Sequence, residues 1–289
     1  WFWRCWRQWH CDFKIQVSIG MTHNKPNKMV LLAGLPRTGS TLLQNLLAQN
    51  PDVYSEGNSG LCQIMWDAKI SCEHNAVEQL VGVGKDITFK DALLRGIPST
   101  YYPDVECSII LDKCRNWVNE PNIAMARDYI SPDVRSIVMV RPIEEIVASF
   151  ARVAAENNSD FSYEALLAQG GSLERALQAT HYAAKLKDPS FLFVSYDELV
   201  SSAQDTMARI YKHIGSPAYA HNVRKITQTV FEDDERNGMV GMHNIRTEVS
   251  KQINEVVLPD WVKEACENMT HSIFSEIDGI GRSKIGKAA

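Results

Sequence analysis

Residues 29–50 read MVLLAGLPRTGSTLLQNLLAQN, and three local signals divide them. Met29, Val30, Leu31, Leu32 and Ala33 form an unbroken apolar run of strand length, Gly34 and Pro36 break it, and Leu42, Leu43, Leu46 and Leu47 then recur at helical spacing until Asn50 and Pro51 stop them. A strand that ends in a glycine loop and opens a helix is a built anion site. The backbone N–H groups of Thr38, Gly39, Ser40 and Thr41 point at the ligand without intrahelical partners, and the helix dipole adds partial positive charge at the same spot. Arg37 brings a full cation into the loop.

The spacing resembles the nucleotide-triphosphate P-loop, G-x-x-x-x-G-K-[ST], with Gly34, Gly39 and Thr41 in register, but Ser40 stands where that loop carries its lysine. A triphosphatase sets that lysine on the β and γ phosphates; here the cation comes earlier, at Arg37, beside one phosphate-sized anion. The run Pro36-Arg37-Thr38-Gly39-Ser40-Thr41 is similar to the 5′-phosphosulfate loop, P-[KR]-[ST]-G-[ST]-[ST], of sulfotransferases that use 3′-phosphoadenosine 5′-phosphosulfate (PAPS).

Composition bounds the rest. With 289 residues, 45% hydrophobic and 22% charged, the chain is long enough for one large α/β domain, and no Pro/Gly/Ser-rich linker divides it. A net charge of −5 argues against a protein that lives on nucleic acid and makes any basic pocket local. The seven cysteines are odd in number and scattered, Cys5 and Cys11 lack CxxC spacing, and no His/Cys cluster has zinc spacing, which predicts reduced thiols in a cytoplasmic protein. No apolar run is long enough to cross a membrane. Residues 1–20 hold Trp1, Trp3, Trp6 and Trp9 but neither the apolar core nor the cleavage site of a signal peptide. They read as an extension outside the core or a fragment edge, with Met21 as the natural start and residues 21–289 as a single domain.

Further apolar strands are expected at 108–112, 136–140 and 191–195, with a short extended segment at 51–55 leading to a loop at 56–60. Helices are expected at 61–70, at 75–95 ended by Gly96, Ile97 and Pro98, at 121–130, from Ile143 on one face to Val153, at 172–187, and after Tyr196 through Ile214 to Gly215. The alternation predicts a three-layer α/β/α fold with a central, mostly parallel sheet and a P-loop-like nucleotide-binding core, its ligand beyond the strands' C-terminal ends. The residues just past those ends are Arg37 to Thr41 of the loop, Lys113 and Arg115, Arg141, and Tyr196. Cations, hydroxyls and one aromatic ring are what a phosphorylated nucleotide requires.

The sulfotransferase resemblance extends over most of residues 29–215. Arg141 and Ser149, eight apart at a strand-to-helix junction, resemble the family's R-x7-S signature, which implies that they bind the 3′-phosphate. Residues 191–199, FLFVSYDEL, are similar to its Y-E-D-L-type segment, which implies Tyr196 near the adenine. Residues 236–241 resemble its R-K-G-x-x-G segment, implying Arg236 and Gly238 over the 3′-phosphate, although Asn237 replaces the lysine. Lys113 corresponds to a lysine found after the middle strand, but Arg115 stands where cytosolic members carry their histidine base, and an arginine cannot accept a proton at neutral pH. The base is left open between Glu56, in the loop after the first helix, and His243. Residues 232–235, EDDE, read as a solvated face rather than a metal site, and no metal is expected. The implied activity is sulfuryl transfer from PAPS to a hydroxyl or amine of an unknown small molecule, carbohydrate or peptide. The alternatives are a P-loop kinase or NTPase and a non-catalytic phosphonucleotide-binding protein; oligomeric state stays open.

Overall fold

The computed structural model describes residues 28–84, 88–236, 238–253 and 255–277. Among them five strands, β1 (Lys28–Gly34), β2 (Val53–Asn58), β3 (Ile109–Lys113), β4 (Arg135–Val140) and β5 (Phe191–Ser195), form one sheet in the order β2-β3-β1-β4-β5, every pairing parallel. Parallel strands need long crossovers and cover on both faces. The helices supply these: α1 (Ser40–Leu47), α2 (Leu61–Cys72), α3 (Asn75–Gly82), α4 (Thr88–Tyr101), α5 (Glu120–Tyr129), α6 (Ile143–Glu156), α7 (Tyr163–Leu167), α8 (Ser172–Leu186), α9 (Tyr196–Ser201), α10 (Ala203–Ile214) and α11 (Asp260–Phe274).

The two-residue period of β1 explains its unbroken apolar run. Met29, Leu31 and Ala33 pack to one side with Leu61, Met65, Trp117 and Ala183. Val30 and Leu32 pack to the other with Leu43, Leu47, Ile210 and Tyr211. Each face of the strand is therefore core, and the α/β/α layering expected from the sequence follows. A third cluster ties α6, α8 and α11 together through Ile146, Val147, Leu173, Val262 and Phe274.

From β1 the chain crosses to β2, and from β4 it crosses the other way to β5, so the connections that leave these two neighbouring strands diverge beyond their C-terminal ends. That divergence opens a crevice between the loop after β1 and the one after β4. Close approach is set by Gly34, which pairs with Met139; a Cβ there would lie 2.1 Å from the Met139 carbonyl oxygen, and its φ is +119°.

Several local expectations are corrected. Strand β2 runs on to Asn58, so Glu56 lies in a strand rather than a loop. Residues 75–95 are not one helix: α3 ends at Gly82, and Gly84, at φ +77°, lies beyond it. Helix α4 continues past Gly96, Ile97 and Pro98 to Tyr101; the Ser99 and Thr100 hydroxyls both donate to the Gly96 carbonyl at 2.9 Å, occupying an acceptor near the proline's missing donor. Helices α7 and α11 were not anticipated. Residues 1–20, the start at Met21, Cys5 and Cys11 lie outside the described residues. The five cysteines that are described are unpaired, and no described helix is long and apolar enough to cross a membrane.

Candidate active site

Past Gly34 the loop folds back, the Leu35 N–H donating to Met139 O at 2.9 Å. Arg37 (φ +58°) and Gly39 (φ +79°) both take left-handed conformations, which curl the backbone into a concave anion site before α1. Gly39 caps the helix, and a Cβ there would sit 3.0 Å from the Tyr196 ring. The Thr38 hydroxyl donates to Leu35 O at 2.8 Å and is buried, so only its backbone is left for a ligand.

Arg141 enters from the end of β4, 4% exposed. Its Nε donates to Glu145 Oε2 and its Nη1 to the Arg37 carbonyl, both at 2.9 Å, while the guanidinium lies 3.9 Å above the Tyr196 ring centre. Its Nη2 is buried without a hydrogen-bond partner. A buried, unpaired guanidinium nitrogen is costly unless an acceptor arrives to meet it. Arg37 donates from Nε to Ser149 Oγ at 3.1 Å and from Nη1 to the Met242 carbonyl, and it lies 5.9 Å from the Phe150 ring. Burial, then the nearby Arg152 and Arg141, pull its pKa down to about 10, which leaves it charged at neutral pH. Arg37, Gly39, Ser40, Thr41, Arg141, Ser149 and Tyr196 all line one cavity.

A second cavity lies on the far side of Arg37, lined among others by Asn58, Lys113, Arg115, Phe150 and Met239. Arg37, Ser40, Met242 and His243 face both. His243 is held by Asp234, whose carboxylate takes the His243 N–H at 2.8 Å and Nδ1 at 2.5 Å; Nε2 stands 3.3 Å from Glu232 Oε2. Burial pushes the His243 pKa down, opposed by Glu232 and Asp234. Lys113, 5% exposed, pairs through Nζ with Glu232 Oε1; burial lowers its pKa and Glu232 opposes the shift. The acidic run is thus a solvated face only at Asp233 and Glu235, which are exposed. The Glu232 and Asp234 side chains are 4% and 11% exposed, drawn inward because a buried ammonium and imidazole need counter-charge.

A model described as the sulfotransferase family matches residues 30–220. The chain belongs to the sulfotransferase family. Among solved structures, the sulfotransferase domain from the curacin biosynthetic pathway is 16% identical, with a TM-score of 0.54, covering 87% of this chain and 98% of that one. The sulfotransferase domain of the Synechococcus PCC 7002 olefin synthase is also 16% identical, with a TM-score of 0.50 and coverage of 86% and 96%. At such identity the likeness speaks for the fold. Comparison with curated proteins gives no match.

Not every residue implied by the family's motifs falls at the cavities. Arg236 and Gly238 are exposed on a turn where the Arg236 N–H donates to Asp233 Oδ1 at 3.1 Å, and neither lines the site, unlike Arg141 and Ser149. Glu56 lines neither cavity; its Oε2 accepts from the Tyr54 hydroxyl at 2.9 Å, two residues back on the same face of β2. Of the two candidate bases, the fold brings only His243 to the meeting of the cavities. Sequence reading missed Glu232 and Asp234 as site residues, and missed the cover over the first cavity from Met242, Asn244, Arg246 and Gln252. Those cover residues have no periodic spacing that could have announced them.

Proposed function

We propose that this family member moves a sulfuryl group from PAPS to a hydroxyl or amine of an acceptor held in the second cavity. The observation that carries the reading is that two cavities, one lined by the phosphate loop and Arg141, the other by Lys113 and Arg115, meet at Arg37, Ser40 and His243. When bound, PAPS supplies a sulfuryl group on a phosphate leaving group. The N–H groups of residues 38–41 hold the 5′ side, Arg141 Nη2 and Ser149 the 3′-phosphate, and the ring of Tyr196 flanks the nucleoside. His243, its Nδ1 fixed by Asp234, takes the acceptor's proton on Nε2. Arg37 and Ser40 donate to the negative charge that gathers on the departing phosphate oxygen, a preorganised arrangement that favours the transition state over the ground state.

The test is a thermal-shift titration with 3′-phosphoadenosine 5′-phosphate (PAP), magnesium ATP, AMP and sulfate, since a ligand that binds only the folded chain raises its apparent stability. A shift with PAP that Arg141→Ala reduces at equal ligand concentration supports the reading. A shift with magnesium ATP and none with PAP would overturn it in favour of a P-loop kinase.

A further inference from the structure

Glu232 makes four polar contacts although it lines neither cavity. Its Oε1 pairs with Lys113 Nζ and accepts from Thr41 Oγ1 at 3.3 Å; its Oε2 accepts from Asn58 Nδ2 and faces His243 Nε2 at 3.3 Å. Thr41 belongs to the first cavity, Asn58 and Lys113 to the second, and His243 to both. The carboxylate therefore fills the seam between them. In-line transfer requires the sulfur to touch the leaving oxygen on one side and the attacking atom on the other, so the transferred group has to stand in this seam. A hydroxyl, an ammonium and a carboxamide N–H are a donor set suited to an anion with several acceptor oxygens.

We propose that Glu232 holds the place of the transferred sulfonate in the unliganded protein, and that the sulfated cofactor expels it on binding. The inference rests on the PAPS reading above. The segment that carries Glu232 is suited to the exchange: between α10 and α11 the described chain has no helix or strand, and it lies over β2 where Gly57 leaves room, a Cβ there meeting the Phe231 carbonyl at 2.4 Å. Before the exchange, Lys113 is neutralised and His243 Nε2 faces a carboxylate. After it, Lys113 meets the sulfonate and Nε2 is released toward the acceptor, so the base is unmasked only in a loaded site. PAP, which lacks the sulfonate, leaves Glu232 in place.

Isothermal titration of the full chain with PAP and with PAPS, in wild type and Glu232→Gln, tests this. PAP should bind both proteins within a few-fold of each other, whereas PAPS should bind the variant about tenfold more tightly than it binds wild type, because no charged carboxylate has to leave Lys113. An equal change for both ligands, or no gain for PAPS, overturns the proposal. If PAP binds neither protein, the PAPS reading itself has failed. A measurement on wild type alone guards against a variant that does not fold: hydrogen exchange over residues 226–249 should rise with PAPS and not with PAP, and equal protection by the two ligands overturns the proposal.

Discussion

Arg141 meets its surroundings with three of its groups and leaves the fourth over: Nε is taken by Glu145, Nη1 by the Arg37 carbonyl, the face by Tyr196, and Nη2 by nothing. Charge-assisted hydrogen bonds contribute roughly 1.5–3 kcal/mol, so Arg141→Ala should weaken PAP binding about ten- to a hundredfold while AMP, without the 3′-phosphate, is little affected; calorimetric titration decides. Arg37→Ala should lower turnover on the order of a hundredfold, the scale of one lost transition-state donor, and a variant with near-full turnover removes Arg37 from the chemistry. His243→Ala should cost about 10²–10⁴ in kcat with PAP affinity kept. Burial depresses the imidazole's pKa, so the neutral, proton-accepting form persists below the ordinary value of about 6.5. The acid limb of the kcat/KM profile should therefore lie below that pH, and a limb above it would remove His243 as the base. Arg37, Thr38, Ser40, Thr41 and Arg141 were legible because each stands at a junction where an apolar run changes to helical spacing, whereas Ser149, two turns into α6, was singled out only by the resemblance to the R-x7-S signature. Glu232 and Asp234 were not legible: four acids in a row look solvated, and the partners that draw them inward are Lys113, at the end of a strand far away in sequence, for Glu232 and His243 for Asp234.

Among the elements, the sheet and most of its crossovers could be read ahead, since buried parallel strands leave continuous apolar runs. Helix α11 was missed, although Val262, Cys266 and Ile273 recur on one face and pack on α6 and α8. It also caps its neighbour: Ile143, the first residue of α6, donates its N–H to Thr270 Oγ1 at 2.9 Å. Thr270→Ala should therefore destabilise the chain by about 1 kcal/mol, lowering Tm by roughly 2–4 °C in calorimetry; an unchanged Tm would show that water replaces the hydroxyl without loss. Gly34→Ala is expected to be far harsher. Its Cβ has no space against Met139 and its φ lies where side chains are strained, so β1 would have to part from β4 at the mouth of the site. The checks are soluble yield and Tm beside Gly84→Ala, also at positive φ but with nothing within 4 Å.

Over the whole molecule, charge and burial set an acid limit. His213, His221 and His243 are all held below the ordinary histidine value, with burial the leading cause in each. The unfolded chain takes up these protons near pH 6.5 and the folded chain only at lower pH, so the stability they contribute is present above 6.5 and is lost as pH falls toward the folded values. Each group adds a slope of up to about 1.4 kcal/mol per pH unit. Chemical denaturation between pH 7.5 and 5.5 should show that fall, and His221→Gln should flatten it; an equal slope in the variant would exclude His221. The strand order has another reach. Lys28 of β1 pairs opposite Ile109 and Val30 opposite Arg135, so the first strand of the sheet is also its centre and gains its second neighbour only with β4. During synthesis the Val30-Leu31-Leu32 run has no partner until β3 is made and keeps one side open until the chain through β4 leaves the ribosome. Such long-range closure makes folding slow and leaves an apolar strand edge exposed to aggregation, so the part of the chain that builds the phosphate loop is also a part that a chaperone's protection would serve.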